Sequence, residues 1–417
     1  MSRRSRLTWR ISQAALLLMI VALIAGFYLY WRAPATLSQL LGALAAEPTA
    51  VSTPVPPTPP PPIRRATASP AAAPTAAPAA TPGRSEALRS QTGSWYQLFF
   101  SNPRFPDKPE YHRAGIDERL VALLNSARKT VDMAIYDFDL ENVASALAAA
   151  AKRGVRVRMV TDTDTLTSTN PAVQRALAIV KDAGIPIVDD QRPAIMHDKF
   201  VVVDGVTIWT GSWNFTDGDT YRLNNNAIKI VSVDLAANYT REFELMFVQR
   251  LFGPAKPASL NDPVITIGGA RVENYFAPEG RAAQRIVDRL QLAKQSIHFL
   301  AFSFTSDTIG RTVRQMAKAG VQVSGVFETT GSETLFSEYG KFLKVKLDVL
   351  QDGNPYPMHH KVFIIDGQTV IFGSYNFTVN ADGENDENLL IVDDPKLAQA
   401  FEGEFQRVRA LALAPPR

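Results

Sequence analysis

No cysteine occurs among the 417 residues, so disulfide bridges and thiol chemistry are excluded from the outset. The absence leaves the compartment open, because lack of cysteine by itself rules out little. Histidine is scarce too, at five, which makes each one worth tracing. A basic surplus is also missing where it would count. Eight of the 44 basic residues, but only Glu47 of the 41 acidic ones, fall in the first 84 positions, which leaves the rest of the chain near −4. Non-specific nucleic-acid binding ordinarily comes with overall positive charge; a local basic groove stays open.

Charge is absent altogether from Ile11 to Trp31, ISQAALLLMIVALIAGFYLYW, 21 residues, and about 20 apolar residues span a bilayer. Arg3, Arg4, Arg6 and Arg10 precede the run and only Arg32 follows closely, so the positive-inside rule keeps residues 1–10 in the cytoplasm and exports the remainder. Tyr28, Tyr30 and Trp31 fall where an outer aromatic belt would sit. The run is read as a single-pass anchor in the cell membrane with extracytoplasmic catalytic domains, since it exceeds the apolar core of a signal peptide, about 7–15 residues. A signal peptide cleaved near Ala43-Leu44-Ala45, releasing a secreted protein, is the alternative. Residues 32–88 form a linker, composed from Ala46 to Gly83 almost wholly of Pro, Ala, Thr and Ser, which cannot bury enough apolar surface to fold. As a polyproline-like tether at about 3.1 Å per residue it reaches on the order of 100 Å.

Beyond the tether the chain repeats itself. His197, Lys199, Asp204, Gly211, Ser212, Asn214, Asn226, Glu242 and Phe243 recur 162 residues later as His359, Lys361, Asp366, Gly373, Ser374, Asn376, Asn388, Glu404 and Phe405. Upstream the offset becomes 166, pairing Leu120 with Ile286, Tyr136 with Phe302 and Gly154 with Gly320. A period this long suits a whole domain copied once. The boundaries follow as a first domain at 89–253, a connection at 254–262 (GPAKPASLN) and a second domain at 263–417. Each half is expected to open with a helical pattern, followed by a strand (TVDMAIYDF; SIHFLAFSF), a second helix ending at Gly154 or Gly320, and a further strand. Such alternation predicts an α/β fold, in each half a mixed sheet flanked by helices, with the halves packed as a pseudo-twofold dimer within one monomer.

The repeated set carries chemistry. Two His, two Lys and two Asn suffice to cleave a phosphodiester, whose anionic oxygens must be neutralised, phosphorus attacked and leaving oxygen protonated. One imidazole serves as nucleophile and the other as acid, and the scheme requires neither a metal nor a cofactor. Asp204 and Asp366, each beside a glycine at a strand-to-turn junction, are expected to fix local backbone. His359-His360 is a poor zinc site, because neighbours on a strand face opposite ways and no ligand cluster joins them. His112 and His298 lack counterparts and are read as structural or surface residues. Trp213, Tyr221, Tyr356 and Tyr375 near the motifs are candidates to line an acyl or base pocket, or simply to pack.

HxKxxxxD followed by GSxN, twice, resembles the phospholipase D superfamily. The wording MHDKFVVVDG…TGSWNFT and MHHKVFIIDG…FGSYNFT is similar to its small bacterial endonucleases and mitochondrial cardiolipin hydrolase, over roughly residues 95–410. The resemblance implies a site at the interface of the halves and a covalent phosphohistidine. It implies His197 as nucleophile and His359 as general acid, with Lys199, Lys361, Asn214 and Asn376 on phosphate and Ser212 and Ser374 as supporting hydroxyls. The family often carries a Glu 28 residues after the motif His; here Asn225 stands in the first copy and Glu387 in the second. Glu387 is then expected to reach across to Nδ1 of His197, and Asn225 to face His359. The expected activity is hydrolysis of a phospholipid phosphodiester. A surface-attached nuclease acting on nucleic acid, a phosphatidyltransferase and a non-catalytic scaffold are the other readings.

Overall fold

The strands that carry the repeated motif explain the architecture. KFVVV and KVFII are buried at every position, as apolar, largely β-branched runs are when both faces of a strand are covered. Their side chains alternate. Phe200 and Val202 enter one core and Val201 and Val203 another, and the copy divides Val362 and Ile364 from Phe363 and Ile365 in the same way. The computed structural model describes residues 89–257 and 262–416. The expected tail, the anchor at 11–31 and the linker at 32–88 lie outside the described residues, among which no helix is long and apolar enough to cross a membrane.

In the first half, β1 (Arg89–Thr92), β2 (Tyr96–Phe100), β3 (Thr130–Ile135), β4 (Arg156–Thr161), β5 (Ile187–Asp189), β6 (Lys199–Val203), β7 (Thr207–Gly211) and β8 (Asn226–Val231) form one sheet in the order β1-β2-β8-β7-β6-β3-β4-β5. In the second, β9 (Val264–Ile267), β10 (Ala270–Ala277), β11 (Ser296–Ala301), β12 (Gln322–Phe327), β13 (Asp348–Gln351), β14 (Lys361–Ile365), β15 (Thr369–Gly373) and β16 (Glu387–Asp393) adopt the order β13-β12-β11-β14-β15-β16-β10-β9, the same topology followed from the opposite edge. Both sheets are mixed: β3, β4 and β5 are parallel, and the motif strand β6 runs antiparallel to β3 and β7. One expectation is corrected. Each half opens not on a helix but on a hairpin, β1–β2 or β9–β10, that adds to β8 or β16. β1 (RSQT) has no buried residue, so no apolar run marks it in the sequence.

Helices cover both faces. Ile116–Ser126, Glu141–Lys152 and Pro171–Asp182 close the outer core of the first half, and Ala282–Leu290 with Asp307–Lys318 that of the second. Helices Val233–Phe247 and Pro395–Leu413 lie inside. Their Leu235, Tyr239, Phe243, Leu397, Phe401 and Phe405 join Phe200, Val202, Val362 and Phe372 in one core shared by the two sheets. Ser232 and Asp394 cap these helices, their side-chain oxygens accepting from Leu235 N and from Lys396 and Leu397 N, and so satisfy donors that a first helical turn leaves without partners. Losing one of these buried phenylalanines to alanine would cost about 3–5 kcal/mol, and the core they fill draws on both halves.

The halves clasp reciprocally. Met196 bridges Asp386 and Met358 bridges Asn224. His197 N donates to Asp386 O and His359 N to Asn224 O, both at 2.9 Å. Each contact reappears 162 residues on with the halves exchanged, as a twofold relation requires. The connection is more than the proline-bearing seam its composition suggests. The Lys256 side chain is fully buried, with Nζ 2.8 Å from Asp386 Oδ1, 3.4 Å from Glu279 Oε1 and bonded to Glu242. Burial alone would strip its proton; Asp386, Glu242 and Glu279 instead hold its pKa well above the ordinary lysine value. Residues 258–261 lie outside the described residues.

Candidate active site

Each motif histidine stands two residues before its lysine, and the lysine begins the central strand. The main chain of the histidine is fixed by the opposite half through the reciprocal bridges. Lys199 Nζ donates to His197 O at 3.0 Å and Lys361 Nζ to His359 O at 2.8 Å. An aromatic ring backs each pair: Tyr136 lies 5.0 Å from the His197 ring and 5.2 Å from Lys199 Nζ, and Phe302 lies 4.6 Å from both His359 and Lys361 Nζ. All four side chains are buried.

The turn that delivers Ser and Asn depends on glycine. At Gly211 (φ 149°) and Gly373 (φ 155°) a Cβ would lie 2.3 Å and 2.2 Å from the Asn226 and Asn388 carbonyl oxygens, a clash only glycine avoids. The following serine then holds the partner of a histidine. Ser212 Oγ donates to Asn225 Oδ1 at 2.8 Å, and Ser374 Oγ to Glu387 Oε2 at 2.7 Å.

Glu387 and Asn225 both reach across the interface. His197 Nδ1 lies 2.7 Å from Glu387 Oε2, and His359 Nδ1 lies 3.0 Å from Asn225 Oδ1. The substitution of Asn for Glu does not leave His359 without a carboxylate, however. Asp219 Oδ1 lies 3.2 Å from the same Nδ1 and also accepts from Asn225 Nδ2 at 3.0 Å and from Asn214 N and Nδ2 at 3.2 and 3.3 Å. Sequence reasoning missed Asp219. The signal was available in the 162-residue register, which pairs Asp219 with Ala381 just as it pairs Asn225 with Glu387. Asn214 is buried beside Asp219, whereas Asn376 is half-buried.

The electrostatics bind the two halves into one site. Burial, Lys199 and Lys361 together hold His197 well below its ordinary pKa. Burial and Lys361 bring His359 down to about 3, with Lys199 adding to the fall and Asp219 opposing it. Burial also lowers Lys199 to about 8 and Lys361 well below the usual lysine value. Glu387 is pushed up to about 8 by burial, with Lys199 and Lys361 opposing the rise. Asp219 stays ionised: burial pushes it up, but His359 and the Asn214 and Thr216 hydrogen bonds bring it to about 2. The negative charge of a phosphodiester placed among these groups would raise both lysines and both imidazoles.

Asp204 and Asp366 stand apart from the chemistry. Each has a left-handed backbone, φ 55° and 53°, and each carboxylate gathers three backbone N–H groups. Those of Arg128, Lys129 and Thr130 lie 2.7–3.0 Å from Asp204, and those of Lys294, Gln295 and Ser296 lie 2.7–2.8 Å from Asp366. His360 faces the other way from His359, bonded to Asn226 Nδ2 at 2.9 Å and Glu404 at 3.0 Å. His112 pairs with Asp107 and Asp217, and His298 with Glu402. Among the described residues no group of three such side chains is disposed to hold a metal ion. Trp213 and Tyr375 are buried in the outer cores; Tyr221 stacks on His112. Tyr356 is half-buried, its ring 6.2 Å from that of Phe105.

A family model described as "Cardiolipin synthase, PLD-like domain" matches residues 120–247 and again 286–409. The chain is 33% identical over 132 residues to a phospholipase D of Rickettsia prowazekii, an alignment covering 32% of this chain and 64% of that protein. It is 33% identical over 161 residues to mitochondrial cardiolipin hydrolase of Chlamydomonas reinhardtii, covering 39% and 72%. Among solved structures it is similar to phosphatidylserine synthase of Haemophilus influenzae, with a TM-score of 0.54 at 14% identity, over 71% of this chain and 84% of that one, a likeness of fold alone. The first of these alignments thus spans somewhat less than two thirds of the relative's own length.

Proposed function

This chain belongs to the PLD-like domain family of the cardiolipin synthase type, with two copies in tandem, and from that premise we propose that it is a phospholipase D-type phosphodiesterase acting on phospholipid. The observation that carries the reading is the convergence of both His-Lys pairs on one buried site, with Glu387 reaching across to within 2.7 Å of His197 Nδ1. A proton held on Nδ1 leaves Nε2 of His197 with a lone pair. That nitrogen attacks phosphorus, the bond to the leaving oxygen breaks, and the proton on His359 passes to that oxygen. Water then attacks the phosphohistidine, His359 takes its proton, and the P–N bond breaks. Lys199, Lys361, Asn214 and Asn376 hold the non-bridging oxygens through both displacements. An alcohol in place of water would make the same site a phosphatidyltransferase.

Lipid is favoured over nucleic acid by charge. The chain beyond position 84 is near −4 and so lacks the basic surplus that ordinarily accompanies binding to a strand with a charge at every phosphate. The apolar run at 11–31 would anchor the enzyme to a membrane and the linker at 32–88 would hold the catalytic monomer outside the cytoplasm within reach of lipid. The test is the full chain in mixed micelles with EDTA, offered phospholipid and single-stranded DNA, against His197→Ala. Release of phosphatidic acid that vanishes in the variant, with DNA intact, is the expected result; DNA cleavage with lipid intact would make it a nuclease.

A further inference from the structure

The two histidines need the same service, and the sequence register supplies it unequally. Position 28 after the motif histidine carries a carboxylate in the second half and an amide in the first, Glu387 against Asn225, while position 22 carries Asp219 in the first half and Ala381 in the second. One carboxylate disappears and another arises six residues earlier. The structure brings the two positions together. Asp219 is the third residue of the short helix Asp217–Tyr221, and its backbone N–H donates to Thr216 Oγ while its Oδ2 accepts from that hydroxyl at 3.0 Å. Oδ1 is thereby aimed away from the cap, and lies 3.2 Å from His359 Nδ1. Asn225 Nδ2 bonds both the Asp219 carbonyl oxygen and Oδ1, at 3.1 and 3.0 Å, and its own Oδ1 lies 3.0 Å from the imidazole. The second half keeps the cap, Thr378 accepting from Ala381 N, but has no acid there.

Resting on the phosphodiesterase reading above, we propose that Asp219 is the positioning carboxylate of His359, displaced from position 225 to position 219, with Asn225 retained as the amide that locks it in place. A hydrogen on Nδ1 shared between Asn225 Oδ1 and Asp219 Oδ1 presents Nε2 to the leaving oxygen. The fixed negative charge of Asp219 stabilises the imidazolium that the acid step consumes and the water step regenerates. In return, Asn214, which donates to the same Oδ1, is held in place for a substrate oxygen. Asp219 touches neither substrate nor phosphorus in this scheme; it acts through His359.

The prediction is separable from a structural role. A bis(p-nitrophenyl) phosphate probe loses a leaving group that needs little protonation, so its first turnover depends on His197 and its later turnovers on His359 activating water. In Asp219→Asn the burst of nitrophenolate, one per enzyme, should survive within about tenfold while steady turnover falls about 100-fold, the scale of a lost general acid–base, and phosphohistidine should accumulate on His197. The double variant Asp219→Ala with Asn225→Glu rebuilds the Ala381–Glu387 arrangement in the first half and should recover most of the lost turnover. Equal losses of burst and turnover in Asp219→Asn, no loss of either, or no recovery in the double variant would overturn the proposal. No release of nitrophenolate and no phosphohistidine trapped on His197 in the unaltered protein would instead overturn the reading beneath it.

Discussion

The two halves place an identical His-Lys pair on an identical strand and then hold the imidazoles by different means. His197 has one carboxylate partner, Glu387, at 2.7 Å. His359 divides its Nδ1 between an amide at 3.0 Å and a carboxylate at 3.2 Å. The aromatic backing differs as well, a tyrosine against a phenylalanine. What a tandem copy permits is this division of labour: each site can drift toward one half of the reaction because both are always present in the same molecule. The skeleton does not drift, since Gly211 and Gly373 face the same steric limit and Asp204 and Asp366 the same three N–H groups.

Substitutions that break the symmetry should do so by decreasing amounts. The largest contrast lies between the histidines: His197→Ala should lower hydrolysis of any phosphodiester by more than about 10⁴-fold with no phosphoenzyme, whereas His359→Ala should still trap a phosphohistidine from a nitrophenyl ester, read by acid-quench labelling. Next come their partners. Glu387→Gln should cost about 100-fold in lipid headgroup release and Asn225→Ala nearer tenfold, because Asp219 remains beside His359. The paired loop aspartates sharpen the comparison by their sameness: Asp204→Ala and Asp366→Ala should each lower stability by about 1–3 kcal/mol, the cost of unsatisfied backbone donors, in thermal unfolding. Smallest is a pH effect. Burial brings Lys199 down to about 8 in the free site and Lys361 well below the usual lysine value, and both act as cations, so kcat/KM should already be falling as pH reaches about 8. The kcat profile should hold to higher pH, because bound phosphate favours the charged lysine.

Much of this was legible in the sequence, because duplication doubles whatever must be kept. The His, Lys, Ser and Asn positions and the backbone role of the two aspartates could be read from register, and the reach of Glu387 toward His197 from register together with family resemblance. Asp219 could not be found by looking for retained residues, since its counterpart is Ala381; only a search for compensating differences would expose it. The shared central core was hidden for another reason. Periodicity identifies an apolar stripe on Val233–Phe247 and on Pro395–Leu413 but not which sheet face receives it, and both helices turned out to lie between the sheets. Lys256 was concealed by the prolines around it, which mark a loop and say nothing of a lysine buried beneath.

That lysine reinforces what the covalent connection already does for the two halves on dilution. Two detached copies would share a site only while associated, and a loosely strung pair would be free to trade partners with neighbouring molecules. By seating one ammonium group from the connecting segment on Glu242 of the first half and on Glu279 and Asp386 of the second, the chain ties its own two histidines to each other. Specific activity should therefore stay constant however far the protein is diluted, and mixing a His197 variant with a His359 variant should restore nothing.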